Sequence, residues 1–417
     1  MQSPVTGLPG SLRWPRLAAR PGRIPSVQVV RALAALLVVA GHGLYEARAF
    51  DASGHVARIA EWPLWTLGVD LFFVLSGFIM MWTFGEHFGR PGAWREFLAR
   101  RLARIVPLYW MFTGLMIAAT LLVPQRLESA AFSLEHAILS LLFIPHIAPQ
   151  GGFHPILSLG WTLMYEMFFY LSFAVALMLP RRAGLAMLSV LFAMLFALAS
   201  TTSLLPAALR MFWGDTVLFE FLLGVLFYFI QRDGRLEMKR LAPLLLVCAS
   251  IGIAALRSGT GLRLFQYGVP ALGVFSFVYW MLPEVKLRTW IVLVLVGEAS
   301  YTLYLSHPFV LEAVKIVVGL APLAPPVALW LFLPAAITAA VAFSLLFHAR
   351  VERPLSRRTA AALTAIAVPV SSRRAIRSPS PSALALPISP WRQLVAILAG
   401  ARPTRNPAPK SWPSPKV

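Results

Sequence analysis

"RALAALLVVAGH", residues 31–42, sets an arginine and a histidine at the two ends of a run that is otherwise apolar. Read as an α-helix, the eleven-residue step from Arg31 to His42 returns to within roughly 20° of the same face after about 16 Å of rise. Both side chains therefore leave the helix in one direction, one near each end. In lipid an ionisable side chain costs about 3 kcal/mol or more unless it faces protein or water, so the spacing predicts a membrane helix whose polar face looks into a bundle. The blander alternative is that Arg31 snorkels to the headgroups while His42 closes the other end.

The rest of the chain agrees that lipid is the solvent. Of 417 residues 58% are hydrophobic and 13% charged, with a mean hydropathy of +0.72, whereas soluble domains carry roughly 25% charged residues. Cys248 is the single cysteine, which excludes an intrachain disulfide framework or a cysteine metal site. The net charge of +20 lies mainly in loops and tails, where it faces anionic lipid headgroups; no nucleic acid partner is expected.

Apolar runs at about 27–45, 63–84, 104–123, 158–179, 184–204, 215–231, 241–257, 264–282, 291–311 and 327–348 are each long enough to cross a bilayer as a helix. The expected fold class is an all-α polytopic bundle of about ten transmembrane helices. Its basic breaks are "GRPGAWREFLARRLAR" (89–104), "RR" (181–182), "RDGRLEMKR" (232–240), "EVKLR" (284–288) and "RVERPLSRR" (350–358). With both termini in the cytoplasm, all five fall on the inner side. Residues 1–25 read as a basic cytoplasmic tail, 26–355 as the membrane domain, and 356–417 as a disordered Pro/Ser-rich cytoplasmic tail. Segment 124–157, with "LEHAILSLLFIPHI", is an interfacial or re-entrant helix on the outside.

Three further spans carry ionisable groups. Asp70 stands in "GVDLFFVLSGFIMMW" (68–82), either as a functional carboxylate or as a helix-start aspartate bonded locally toward Ser76. Glu166, in "SLGWTLMYEMFFYLSF" (158–173), is flanked by Trp161, Tyr165 and Tyr170 and needs a proton, water or an arginine. His307 precedes Pro308 in "EASYTLYLSHPFV" (298–310). In the ten-span topology His42, Asp70, Glu166 and His307 share one depth in the outer part of the bundle. A carboxylate beside a histidine there suits general-base work on a hydroxyl. No G-x-S-x-G nucleophile motif is present, and the wide separation of these residues does not support a metal site. On the inner side Arg101 and Arg104 share a helix face in "ARRLARIVPLYW" (99–110). They anchor the helix, or they form an entrance for a phosphorylated donor that Arg31 extends inward.

Taken in order, R-x10-H at Arg31 and His42, "GVDLFFVLSGF" with Asp70 and Ser76, "RRLARIVPLYW", "WTLMYEMFFY" with Glu166, "SYTLYLSHP" with His307 and "VERPL" with Glu352 resemble the acyltransferase family 3 membrane proteins. The match is most similar to the exopolysaccharide-production and O-antigen acetylase-like branch. The resemblance implies transfer of an acyl group, usually acetyl from acetyl-CoA as co-substrate, onto a sugar hydroxyl of a surface or exported polysaccharide at the bacterial inner membrane. It implies no bound cofactor or metal. His42 and Arg31 carry over as catalytic and donor-handling residues, with Asp70 and Glu166 beside them. Ser76, Arg101, Arg104, Tyr109, Trp161, Tyr170 and His307 are then candidates for holding donor or acceptor. With no soluble domain expected after the last span, a lipid-linked glycan or polysaccharide acceptor meets the membrane domain directly. The rival reading is a transporter or flippase of lipid-linked saccharides whose pathway these polar residues line; a scaffold for polysaccharide export leaves Arg31 and His42 unexplained. Oligomeric state is open.

Overall fold

A computed structural model describes residues 25–51, 53–61, 63–122, 132–233, 263–281 and 287–367. Among them every regular element is helical. In chain order these are α1 (Pro25–Ala47), α2 (His55–Ala60), α3 (Leu67–Phe84), α4 (Ala93–Leu122), α5 (Leu134–Leu141), α6 (Gly160–Leu177) and α7 (Arg181–Thr201). Then come α8 (Ala207–Trp213), α9 (Val217–Asp233), α10 (Val269–Met281), α11 (Leu287–Glu298), α12 (Ser300–Leu320), α13 (Pro325–Phe347) and α14 (Arg353–Ala367). Among the described residues eight helical stretches are long and apolar enough to span a bilayer, which makes this a polytopic helical membrane protein.

Eight of the ten expected spans correspond to those stretches. The seventh, 241–257, lies outside the described residues. The eighth is a π-helical turn, Leu264–Gly268, running into the thirteen residues of α10. The ninth, expected over 291–311, is interrupted at Ala299, so α11 and α12 are separate helices. Two contacts flank that break: a Cβ on Gly297 would come within 1.9 Å of the Gln28 carbonyl oxygen, and the Ser300 hydroxyl is held by Arg31. Pro308, which cannot donate a helix hydrogen bond, sits inside α12 without ending it, and the helix runs on to Leu320. The expected boundary at 355 also moves. A π turn, His348–Glu352, joins α13 to α14, and α14 packs on α4. Residues 356–367 are thus helical, as their alanines, leucine and arginines favour, and not disordered. Segment 132–157 contributes only the short α5, whose first turn is capped by Ser133 accepting from the His136 amide at 3.0 Å.

α1 lies at the centre, packed against α3, α11, α12 and α13. It runs parallel to α12: Arg31 meets Ser300, His42 meets His307, and Glu46 meets Lys315. α3 and α9 also run side by side in one direction. At one end Glu86 pairs with Arg232 at 2.7 Å and with Arg181 at 3.7 Å. At the other, Asp70 and Glu220 both face Arg263. Their close approach depends on Gly77 and Gly224. A Cβ on Gly77 would lie 1.9 Å from the Phe221 carbonyl oxygen, and one on Gly224 1.9 Å from that of Val74, the small-residue packing that membrane helices use where lipid supplies no hydrophobic drive.

Candidate active site

Two polar sites sit at different levels along α1. The first is a cavity of about 80 Å³ around Arg31, lined also by Ser76, Arg101, Arg104, Glu166, Tyr170, Ser300, Tyr301 and Tyr304. α1 presents Arg31, whose Nε and Nη2 both donate to Ser300 Oγ at 3.2 and 2.8 Å. A guanidinium gripped from two of its nitrogens is oriented, not snorkelling. Arg101 donates to Thr83 Oγ1 at 3.1 Å, with its charge 5.9 Å from the Tyr170 ring centre. Glu166 accepts from Ser76 Oγ at 3.2 Å and from the Tyr170 hydroxyl. Beyond Ser300, Glu352 accepts from Thr302 and from His348. The cavity thus brings arginines together with an apolar wall of Val69, Phe72, Phe73 and Ile79, suited to an anionic head carrying a less polar arm.

The second site is the pair His42 and His307. His307 is wholly buried, whereas His42 is exposed. His307 Nδ1 lies 3.1 Å from the Leu303 carbonyl oxygen, and its Nε2 lies 3.2 Å from His42 Nδ1. A carbonyl only accepts, so His307 Nδ1 carries the proton. Its Nε2 is then the acceptor, and His42 must donate through Nδ1. That leaves His42 Nε2 with a free lone pair on an accessible ring, the arrangement a general base needs. Tyr304 joins the two sites. It lines the Arg31 cavity, its ring centre lies 6.2 Å from that of His307, and its hydroxyl is tied to Thr162 and to the Leu159 carbonyl.

His42, Asp70, Glu166 and His307, expected to share one depth, do not form one cluster. Only His42 and His307 come together. Glu166 opens on the Arg31 cavity, and Asp70 accepts from Arg263 Nη2 at 3.1 Å and Nε at 3.3 Å. Counting residues from a predicted span edge fixes neither helix tilt nor the face a side chain takes, and α3 and α6 turn these carboxylates to different neighbours. The partner of His42 is another imidazole, not a carboxylate. Tyr109 is also placed elsewhere. It is absent from the cavity wall, and its buried hydroxyl donates to the Ser140 carbonyl at 3.0 Å, pinning α5 to α4. Trp161 likewise leaves the cavity and lies under Arg263, 5.5 Å from ring centre to guanidinium carbon. Sequence reasoning missed Ser300, Tyr301, Tyr304 and Thr162 in the cavity, and Asp215, Glu220 and Arg263 beside Asp70. The only available signal for the last group was charge inside or at the edge of an apolar run.

A family model described as "Acyltransferase domain" matches residues 24–349. The chain belongs to this acyltransferase family, and it is an enzyme that transfers acyl groups other than aminoacyl groups. Among curated proteins it is 34% identical over 295 residues to "Exopolysaccharide production protein ExoZ" of Rhizobium meliloti (strain 1021), covering 70% of this chain and 89% of that one. It is 28% identical over 167 residues to "Acyltransferase MdmB" of Streptomyces mycarofaciens, covering 38% of this chain and 41% of the other. No solved structure matches.

Proposed function

We propose that the protein is an inner-membrane O-acyltransferase that moves an acyl group, acetyl being the first candidate, from acyl-CoA to a sugar hydroxyl of an exported polysaccharide. The observation that carries this reading is the pairing of an arginine-lined cavity with a two-imidazole relay whose outermost nitrogen is unprotonated, joined through Tyr304. The likeness to an exopolysaccharide production protein supports the acceptor class. Arg31, Arg101 and Arg104 hold the phosphates of the donor, and its pantetheine arm passes Tyr304 toward His42. An arm of that kind matches the ~16 Å between the two ends of the α1 motif.

In the chemical step the sugar oxygen attacks the thioester carbonyl while His42 Nε2 takes the hydroxyl proton. Collapse of the tetrahedral intermediate breaks the C–S bond, and the departing thiolate recovers that proton from His42. His307 orients His42 and accepts its Nδ1–H throughout, as the third member of a triad does. Arg31, engaged by Ser300 about three turns away, handles the donor and does not stabilise the oxyanion at His42. Ten spans, both termini inside, put the His42 end outward and the Arg31 end toward the cytoplasm.

The test is reconstitution of the purified full-length protein with radiolabelled acetyl-CoA and de-esterified host polysaccharide. Base-labile label on the glycan is expected. Label that stays on acetyl-CoA, together with vectorial movement of lipid-linked saccharide, would favour the transporter reading instead.

A further inference from the structure

We infer that Arg263, Asp215, Trp161 and Tyr267 form a subsite for a neutral sugar ring of the acceptor, next to the chemistry but separate from the donor cavity. This deepens the acyltransferase reading and rests on it for the identity of the ligand as a glycan.

Arg263 is fixed from beneath and open above. Its Nη2 and Nε both donate to Asp70 Oδ1, at 3.1 and 3.3 Å, and Glu220 stands 4.0 Å from Nε. Asp70 and Glu220 are fully buried. The remaining terminal nitrogen, Nη1, faces Asp215 Oδ2 across 3.6 Å, too far for a hydrogen bond. Asp215 spends its other oxygen on the Val217 amide at 3.0 Å. The side chains of Arg263 and Asp215 are 23% and 25% exposed, so this donor and this acceptor are both within reach of a ligand. A sugar hydroxyl both accepts and donates. It therefore fits between a guanidinium N–H and a carboxylate oxygen that do not satisfy each other.

Two aromatic side chains frame the position. The Arg263 guanidinium carbon lies 5.5 Å from the Trp161 ring centre and 5.7 Å from that of Tyr267. Both residues are partly exposed, and aromatic surface of this kind offers apolar contact for the C–H groups of a pyranose. The location suits an acceptor. Thr66 bonds to Tyr267, and the adjacent Trp65 side chain packs on Gly41, next to His42. On the other side of Trp161, Phe73 separates the subsite from the donor cavity.

Charge decides which sugar. Asp70, Asp215 and Glu220 share one guanidinium, and Asp70 and Glu220 are hydrogen-bonded to each other, which takes one proton shared between the two carboxyls. With that proton counted, two carboxylates remain beside one guanidinium, so the group keeps a net negative charge. A neutral polyol meets this group through the exposed Arg263 and Asp215 without adding charge, whereas a uronate adds another anion.

The test uses full-length protein in nanodiscs with oligosaccharides cleaved from the host's exopolysaccharide, de-esterified and separated into neutral and acidic fractions. Binding is measured without donor, so it does not depend on turnover. The neutral fraction should bind, and Asp215→Asn and Trp161→Phe should each weaken it at least ten-fold. In turnover assays both variants should raise the acceptor KM by a similar factor and leave the acyl-CoA KM unchanged. Arg263→Lys, which keeps the charge but loses the fork, should behave the same way. Variants that bind like wild type, tighter binding of the acidic fraction, no binding by wild type, or a rise confined to the donor KM would each overturn the subsite. Binding that responds to these variants in a protein that transfers no acyl group would instead leave the subsite standing and remove the acyltransferase reading.

Discussion

In the proposed mechanism His307 matters because a base needs its proton on the correct nitrogen. The Leu303 carbonyl sets the His307 tautomer, which in turn sets that of His42. Replacing His42 by Ala should abolish glycan acylation in a protein that still inserts; removal of a general base alone costs roughly 10²–10⁴-fold. His307→Leu leaves His42 Nδ1–H without an acceptor and should lower kcat within a similar range, about 10²-fold or more. His307→Gln supplies a carbonyl oxygen there and should recover much of that loss, with donor KM unchanged in both. Equal rates in the Leu and Gln variants would reduce His307 to packing. Arg31 poses a related question. A lysine delivers charge from one nitrogen, whereas Arg31 grips Ser300 through two. Arg31→Lys should insert normally and raise the acyl-CoA KM at least ten-fold, read by turnover in proteoliposomes; a wild-type KM would reduce Arg31 to a structural tie between α1 and Ser300. Arg31 and His42 were legible in the sequence because a polar residue inside an apolar run signals a cost that something must offset. Ser300 and Tyr304 were not legible, since serine and tyrosine are ordinary in a membrane helix and only packing brings them to the cavity.

Among the helices, α3 and α9 meet through reciprocal glycines, and this contact holds Asp70 and Glu220 against Arg263. Gly224→Ala sets a Cβ against the Val74 backbone, which has no rotamer to yield. It should destabilise the protein by about 1–3 kcal/mol, seen as a lower thermal midpoint in detergent. Gly319→Ala, where a Cβ meets nothing within 4 Å, should be neutral or slightly stabilising. The loop between α4 and α6 offers a pH-dependent counterpart. His136 is buried against His146, with ring centres 4.8 Å apart. Burial first, then the neighbouring His146 and His154, push its pKa down to about 4. The unfolded segment therefore binds more protons between pH 6.5 and 4, and local stability is full above about 6.5 and falls as pH drops toward 4. Amide-exchange protection over 134–157 should decline in that window, and His136→Gln should flatten the decline. Helix positions were readable from apolar runs, except where a break at Ala299 and a continuation beyond 355 depended on contacts with α1 and α4.

For the whole molecule the unanswered physical question is orientation, and the charge arrangement gives a definite expectation. Arg90, Arg181, Arg182 and Arg232 gather at one end of the bundle with Glu86, the same end as the basic start of α4 and the α14 extension. The opposite end carries His42, Asp215 and the Glu46–Lys315 pair at 2.5 Å, a charge-compensated surface. Lysine and arginine in short loops are retained on the cytoplasmic side, so we expect the arginine-rich end to face inward. In that orientation the Arg31 end opens to the side on which acyl-CoA is made, and the proposed exported glycan would be met at the His42 end. The test replaces Cys248 by Ser and introduces single cysteines at Arg90, Arg182 and Ser53. Positions 90 and 182 should react with a membrane-impermeant maleimide only after the membrane is opened, and position 53 in intact cells. Labelling of position 90 in intact cells would invert the molecule. The Arg31 cavity would then open outward, away from the acyl-CoA pool, and the donor would have to be a different, exported acyl carrier. Topology therefore tests the direction of acyl transfer independently of any active-site variant.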